Sequence, residues 1–230
     1  MAIVRVDDLR TQVVNEILDR IRTGNVDPHV RFTENSVSAM LGVSRTPARE
    51  ALALLAQRGI LQQNKRGFTL PRPTLEQLAQ LTAVRQQLEP FAMRLVVSNL
   101  DQKARLDLAA TIRMEATLHA DDDSYISAHA RIRDTILDAT GNEILNDTIR
   151  QFDNFVMLVR VSTLKQPNWR AQSVAGQLAK ADLIERGDPA EVEAFQRQMI
   201  EVTRQAFEVF LGEAELIESE AAVEVSDKTA

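Results

Sequence analysis

The chain of 230 residues contains no cysteine, one tryptophan and one tyrosine. The absence of cysteine excludes disulfide bonds, thiolate metal ligands and a cysteine nucleophile. No apolar run is long enough to span a bilayer and the N-terminus lacks a signal-peptide pattern, so the sequence predicts a cytoplasmic protein without membrane contact. A glycine-rich phosphate loop and an HExxH zinc pair are also missing, so we expect no enzyme activity.

The net charge of −6 at pH 7 conceals an uneven distribution of charge along the chain. Residues 1–73 carry 11 Lys and Arg against 7 Asp and Glu, whereas the remainder carries 16 against 26. A basic segment attracts nucleic acid and an acidic segment repels it. The composition therefore predicts that DNA binding, if present, is confined to the first third of the chain.

Residues 37–55 have the pattern of two short helices joined by a tight turn. Gly42 supplies a left-handed turn after a short amphipathic segment, and Ser44 is a favoured N-cap for a second helix that begins at Arg45. Pro47 falls in the first turn of that helix, where its missing N–H costs no hydrogen bond. The second helix turns four apolar residues toward a core: Ala48, Ala51, Leu52 and Leu55.

The polar face of this second helix carries Arg45, Thr46 and Arg49. In a helix-turn-helix, the N-terminal residues of the second helix enter the major groove. There an Arg can bond a guanine through two donors, and Thr or Ser can bond bases or phosphates. The helix N-terminus also attracts phosphate. We therefore expect these three residues and Ser44 to contact DNA.

Two short β-prone runs, at 58–61 and 65–70, follow the second helix, and a polar, basic tip joins them. This pattern is typical of a hairpin wing. Lys65 and Arg66 can reach phosphates or the minor groove, and Gly67 permits close approach of the backbone. The sequence thus predicts a winged helix-turn-helix.

Residues from about 9 to 71 resemble the winged helix of the GntR family of bacterial transcription regulators. The resemblance rests on GVSRTP at 42–47 and REAL at 49–52. A Ser-Arg-x-Pro sequence alone could cap an ordinary helix, but the turn, the helical register and the basic wing together favour DNA binding. Asn35 stands where related members often carry a basic DNA-contacting residue. The predicted DNA-binding set is Asn35, Ser44, Arg45, Thr46, Arg49, Lys65, Arg66 and Gly67.

The rest of the chain is predicted to be helical. Two prolines at 71–73 force an extended connector, which places a domain boundary between residues 1–73 and 74–217. The acidic tail, 218–230, has too little apolar content to pack and is predicted to be disordered. The predicted fold class is therefore mainly α: an N-terminal winged helix-turn-helix followed by an antiparallel all-α helical bundle.

The second half resembles the FCD domain, the all-helical effector module of the FadR subfamily of GntR regulators. The matching segments are VRQQLEP at 84–90, ILDATGN at 136–142 and ADLIERGD at 181–188. Many FCD domains bind a divalent metal through one Asp and three His. The corresponding positions here hold His129, Arg133, Gln177 and Met199. Arg cannot bind a metal and Met is a poor ligand for hard cations, so we predict no metal cofactor of the usual kind.

In place of a metal, Arg133 offers a guanidinium that can clamp a carboxylate or phosphate through two bonds. His129 lies one turn earlier on the same helix face, and Arg85 matches a frequent basic position of the family. Two alternatives stay open: Arg133 pairs with an acid such as Asp138 or Glu89, and His129 is an ordinary helix residue. The predicted effector-binding set is Arg85, His129, Arg133, Gln177 and Met199.

The resemblance implies a homodimer whose winged helices read an inverted repeat in double-stranded operator DNA, and it leaves the pairing of dimers open. It also implies repression of a catabolic or transport operon, relieved when a small anionic metabolite of the carboxylate type binds in the bundle. One alternative is an activator or effector-independent regulator with a purely structural helical domain. Another is an enzyme or metabolite carrier fused to a degenerate winged helix.

Overall fold

A computed structural model describes residues 6–27, 30–71, 73–118, 120 and 124–227 of the chain. Its first part contains α1 (Val6–Arg22), β1 (Arg31–Phe32), α2 (Glu34–Leu41), α3 (Arg45–Gln57), β2 (Gln62–Asn64) and β3 (Gly67–Thr69). Its second part contains α4 (Leu75–Asn99), α5 (Gln102–Leu118), α6 (Ser124–Asp138), α7 (Glu143–Lys165), α8 (Pro167–Arg186) and α9 (Pro189–Asp227). The predicted fold class, a winged helix-turn-helix followed by a helical bundle, is confirmed.

The helix-turn-helix consists of α2 and α3, and α3 packs on α1. Ile17 of α1 and both Leu52 and Leu55 of α3 are completely buried in the shared core. Gly42 ends α2 with a φ of 66°, and its N–H donates to the carbonyl of Ser38. The predicted left-handed turn is therefore confirmed, and it sets the start of α3.

The wing is a three-stranded antiparallel sheet in the order β1-β3-β2. The sequence predicts the first strand of the hairpin at 58–61, and this position is wrong because the strand is Gln62–Asn64. Gly59 has a φ of 71°, and the amides of Ile60 and Leu61 donate to a carbonyl in the last turn of α3. Residues 58–61 therefore close the helix, and their apolar side chains are buried in the core.

The helical bundle is built mainly from two long pairings, α4 with α9 and α5 with α8, while α6 and α7 pack between them. Thr74 starts α4 with a capping box, since its Oγ1 accepts from the amide of Gln77 at 3.2 Å and Gln77 Oε1 accepts from the Thr74 amide at 3.0 Å. Gly187 ends α8 with a φ of 81°. Both helix boundaries lie where the sequence signals place them.

Pro90 lies inside α4 and cannot donate to the carbonyl of Gln86, four residues earlier. Arg197 of α9 supplies the missing donor, because its Nη1 lies 2.6 Å from that carbonyl oxygen. Gln86 Nε2 in turn donates to the carbonyl of Arg197 at 3.1 Å. This reciprocal pair satisfies the groups left by the proline and fixes the register of α4 against α9.

The last helix, α9, continues to Asp227, although the sequence predicts that it ends near residue 216 and that a disordered tail follows. The predicted helix end near residue 216 is wrong, because alanine and glutamate favour helix even where few apolar residues are available to pack. The disorder of the tail stays a prediction. Residues 228–230 of the predicted tail lie outside the described residues. Within the described part of the chain, no helix is both long and apolar enough to cross a membrane.

Candidate DNA interface and ligand cavity

The exposed face of α3 carries the side chains that were predicted to read DNA. Arg45, Thr46 and Arg49 are exposed, whereas the opposite face of α3 is buried against α1 and α2. Ser44 occupies the N-cap with extended backbone, and its hydroxyl makes no capping hydrogen bond. The hydroxyl and the first amides of α3 are therefore available to a phosphate or a base. Asn35 is exposed in the first turn of α2.

Lys65 and Arg66 form the tip of the wing between β2 and β3, and both are exposed. The Arg66 amide donates to Asn64 Oδ1 at 3.0 Å, which orders the tip. Among the described residues, Lys65, Arg66 and the two arginines of α3 have no ion-pair partner. Unpaired cations on an exposed helix face and at a wing tip are typical of surfaces that bind phosphates.

Gly67 has a role within the wing that the sequence did not suggest. Its φ is 134°, and a Cβ at this position would lie 2.6 Å from the carbonyl oxygen of Phe32 in β1. The close approach that requires a glycine is therefore between β3 and β1. Arg31 on β1, within the wing sheet, is also exposed and was missed because a two-residue strand has no periodic pattern to recognise.

A cavity of about 120 Å³ lies in the bundle between α4, α6, α7, α8 and α9. All five residues of the predicted effector-binding set line it: Arg85, His129, Arg133, Gln177 and Met199. Trp169, at the start of α8, is also part of its wall. The structure thus brings together side chains from four helices that are up to 114 positions apart in sequence.

Glu89 lies at the centre of an ion network on the cavity wall. Arg85 Nε donates to it at 2.8 Å, Arg133 Nη2 at 2.9 Å and Gln196 Nε2 at 2.9 Å. Arg133 Nε also donates to Asp153 of α7. The alternative in which Arg133 pairs with Glu89 is therefore confirmed, and Arg133 is not a free cation.

Asp138, the other acid considered for Arg133, instead accepts from Arg150 Nη2 at 2.6 Å. It lies on the exposed side of α6, and α7 brings the arginine to it. Asp138 therefore takes no part in the cavity.

Electrostatics hold both carboxylates of the network in their charged form. Burial by itself would raise the pKa of Glu89, but Arg133 and Arg85 hold that pKa well below its ordinary value. Burial acts on Asp153 in the same way, and Arg133 and Arg160 lower its pKa. The network at neutral pH is therefore composed of ionised acids and guanidinium groups.

Two further cations, which were not predicted from the sequence, reach the cavity. Arg160 of α7 donates to Asp153 Oδ1 at 3.0 Å. Lys180 of α8 lines the cavity and makes no hydrogen bond or ion pair with a described residue. Burial and the neighbouring Arg133 lower the pKa of Lys180 to about 8. Its spacing of three residues from Gln177, one helical turn, was the signal that could have indicated it.

His129 is neutral at pH 7, because burial and the charges of Arg160 and Arg133 lower its pKa well below the ordinary value. Its ring meets that of Tyr125 edge-on, with the centroids 6.0 Å apart. A neutral imidazole offers one donor and one acceptor to a ligand.

The donors around this cavity do not fit a divalent metal. His129 and Glu89 are the only His, Cys, Asp or Glu side chains among the described residues that line it, and Glu89 is committed to three nitrogen donors. No group of three such side chains in the described part of the chain is arranged to hold a metal ion. The guanidinium of Arg133 lies where a further ligand would be needed and cannot lose its proton.

A cleft between the winged helix and the bundle adjoins this cavity. His129, Arg133 and Arg160 line both spaces. Across the cleft, Arg22 at the end of α1 donates to Asp134 of α6 at 2.6 Å. The ion network of the cavity is therefore also a wall of the interface between the two parts of the chain.

Comparison with protein families gives two matches that together cover most of the chain. The family described as "Bacterial regulatory proteins, gntR family" matches residues 9–70, and the FCD domain matches residues 80–202. The two matches coincide with the winged helix and with the helices that surround the cavity.

Relatives and solved structures agree with these matches. The chain is 25% identical over 154 residues to the HTH-type transcriptional regulator YdhC of Bacillus subtilis, covering 65% of this chain and 69% of that protein. It is 27% identical over 162 residues to the gluconate operon transcriptional repressor of the same organism, covering 67% and 66%. The alignments thus span about two thirds of each relative. The structure of McbR/YncC of Escherichia coli shares the fold, with a TM-score of 0.73 and 20% identity over 86% of this chain and 96% of that one.

Proposed function

The chain belongs to the GntR family of bacterial transcription regulators, and we propose that it represses a catabolic or transport operon until a small carboxylate metabolite binds in its FCD domain. It is a DNA-binding transcription regulator and not an enzyme. The finer assignment depends on the cavity, where four cations meet in the middle of the bundle. The gluconate operon repressor, which this chain resembles, is named for an operon that handles a carboxylate.

The proposed DNA complex contains a homodimer on an inverted repeat. Each protomer places the N-terminus of α3 in the major groove, with Arg45, Thr46 and Arg49 toward the bases and Ser44 toward a phosphate. The wing tip contacts the flanking backbone. The two half-sites are separated by about one turn of DNA, roughly 34–36 Å. These placements are supported by the exposure and lack of ion pairs at these positions.

The proposed ligand binds through the chain's own cations and without a metal. Arg85, Arg160 and Lys180 face the cavity, where low dielectric strengthens their attraction for a carboxylate. For repression to be relieved, the ligand must bind the DNA-incompetent arrangement more tightly than the competent one. A coupling free energy of about 1–3 kcal/mol would weaken operator binding roughly 5–150-fold.

This proposal can be tested by fluorescence anisotropy with purified protein and DNA from its own promoter, titrated with a panel of mono- and dicarboxylates. We expect at least one carboxylate to weaken operator binding roughly 5–150-fold. The effect should be the same before and after the protein is treated with a chelator. Binding that depends on added metal would contradict the metal-free site. Activation of transcription by the ligand complex in a reporter assay would contradict repression.

A second candidate function is favoured by the internal pairing of Arg133 with Glu89 and Asp153, since ion networks of this kind also occur as purely structural elements. In that case the protein regulates transcription without an effector. The same titration separates the two functions: an effector-independent regulator binds its operator equally well with every carboxylate in the panel.

A further inference from the structure

The charges around the cavity do not balance. Arg85, Arg133, Arg160 and Lys180 face two carboxylates, Glu89 and Asp153, and His129 is neutral. The described side chains therefore leave two positive charges uncompensated. Buried charge without a partner is costly, so a ligand is favoured most when it brings two negative charges. A ligand with one negative charge would leave half of the excess in place.

Two buried amide groups add a requirement for hydrogen-bond donors. Gln196 is 6% exposed, and its orientation is fixed because Nε2 donates to Glu89 Oε2 at 2.9 Å. Its Oε1 accepts no hydrogen bond from a described residue, and the same holds for Oε1 of Gln177, which is 7% exposed. Both residues line the cavity. A carboxylate has no proton to donate to these oxygens, whereas a hydroxyl group does.

The size of the cavity limits the ligand further. A volume of about 120 Å³ corresponds to roughly ten water-sized positions, at 10–15 Å³ for each. A molecule with about ten non-hydrogen atoms fills it. A four-carbon diacid with two hydroxyl groups has that size.

We propose that the cavity binds a hydroxylated dicarboxylate of about four carbon atoms. This inference rests on the proposed function, because it names the chemical class of the effector. Arg85 and Lys180 either share one carboxylate of the ligand or contact one carboxylate each, and Arg160 turns toward the second carboxylate. Oε1 of Gln177 and Oε1 of Gln196 accept hydrogen bonds from the hydroxyl groups.

Isothermal titration of the full-length protein with four probes separates the charge from the hydroxyl groups. Tartrate has two carboxylates and two hydroxyls, threonate replaces one carboxylate by a hydroxymethyl group, succinate lacks the hydroxyls, and butyrate lacks both features. We expect tartrate to bind about tenfold or more tightly than threonate and than succinate, since each comparison leaves a buried group unpaired.

Two variants assign these preferences to residues. Lys180→Met removes one cation at similar length, and we expect the tartrate-to-threonate affinity ratio to fall at least threefold. Gln196→Met should instead lower the tartrate-to-succinate ratio. Lys103→Met and Gln80→Met, both at exposed positions outside the cavity, are the matched controls and should leave both ratios unchanged. Because each result is a ratio between ligands on one protein, partial loss of folded protein does not imitate it.

Equal affinity for tartrate and threonate overturns the dicarboxylate, and equal affinity for tartrate and succinate overturns the hydroxyl requirement. Either result leaves a carboxylate effector possible. If no probe binds but another carboxylate releases the operator, the ligand class proposed here is wrong and the proposed function stands. If no carboxylate of the panel releases the operator, the proposed function is contradicted as well.

Discussion

Arg45 is the first residue of α3 and is exposed without an ion-pair partner among the described residues. We predict that Arg45→Ala weakens operator binding by about 1–3 kcal/mol and relaxes the preference for one base pair, because a bidentate contact to guanine is lost. Binding to the operator and to variants with single base changes would measure both effects. Arg58→Ala, an exposed arginine after the last turn of α3, is the control. Unchanged operator affinity in Arg45→Ala would contradict the base-reading role.

Lys65 at the tip of the wing should behave differently from Arg45. We predict that Lys65→Ala weakens binding to all DNA sequences by a similar factor and lowers the slope of log affinity against log salt by about one, because one phosphate contact is lost. Titrations at several salt concentrations, on operator and unrelated DNA, provide the measurement. A loss confined to one sequence would show that Lys65 contacts a base instead.

Lys180 is the residue from which we expect a pH dependence of the proposed ligand binding. Its pKa of about 8 lies below the ordinary lysine value, so the side chain is charged below pH 8 and neutral above it. Burial favours the neutral form most, Arg133 and Arg85 add to this effect, and Glu89 opposes it. Since an anion binds the charged form, we predict that tartrate affinity falls about tenfold between pH 7 and pH 9. Isothermal titration would show this fall, and Lys180→Met should flatten the profile; a steep profile in that variant would assign the proton to another group.

At the scale of elements, β3 depends on Gly67 for its approach to β1. Gly67→Ala should lower the free energy of unfolding by about 1–3 kcal/mol, because the Cβ would meet the Phe32 carbonyl and the φ of 134° is strained for alanine. Gly212→Ala in α9 is the matched control, since among the described residues its added Cβ would meet nothing within 4 Å beyond its chain neighbours and the backbone of its own helix. That change should be neutral or stabilising by up to about 1 kcal/mol. Urea unfolding of both variants would measure the difference, and equal midpoints would contradict the close approach.

The elements that the sequence predicts correctly are those encoded by neighbouring residues. Gly42, Ser44 and Pro47 define the turn and the start of α3 through local capping rules, and Thr74 with Gln77 does the same for α4. The first strand of the wing was misplaced because Ile60 and Leu61 have the composition of a strand, although tertiary packing buries them where the chain closes a helix.

The sequence predicts residues that line the cavity, but it does not predict which of them form ion pairs or hydrogen bonds with each other. Arg133 meets Glu89, which lies 44 positions earlier, and Gln196 meets the same carboxylate from 107 positions later. No local spacing encodes such contacts, so the sequence could offer Glu89 only as one of two acids. Arg160 was missed because its partner, Asp153, lies seven positions away on the same helix face, in a pattern equally typical of a solvated surface.

At the scale of the whole molecule, the winged helix and the bundle share a continuous apolar core along α1, α6 and α7. Gly24 lies in this interface, and a Cβ added there would be 3.1 Å from Val161 and 3.3 Å from Ile126. Because His129, Arg133 and Arg160 line both the ligand cavity and the cleft beside α1, a ligand that draws these side chains inward changes the surface on which the winged helix rests. The interface thus provides a short physical connection between the proposed ligand site and the proposed DNA-binding surface.

The connection between the proposed ligand site and the DNA-binding surface can be interrupted at the ion pair between Arg22 and Asp134, which belongs to neither of them. Both side chains are about one third exposed, so the pair contributes little to global stability. It does fix the end of α1 against α6, next to Arg133. We therefore predict that Asp134→Asn reduces the factor by which ligand weakens operator binding at least twofold, while the affinity of the free protein for ligand changes less than twofold.

Asp138→Asn is the matched control for this last prediction, because Asp138 lies one turn further along α6 and pairs with Arg150, which also lies 3.8 Å from Asp134. Both substitutions therefore remove an acidic partner of Arg150, and only Asp134→Asn also removes the pair with Arg22. Arg22→Gln removes the other half of the interdomain pair and should reproduce the effect of Asp134→Asn. The measurement is operator affinity with and without saturating ligand, for all three variants. If the ligand effect is the same in Asp134→Asn and in Asp138→Asn, the signal travels through the apolar contacts around Gly24 and not through the ion pair.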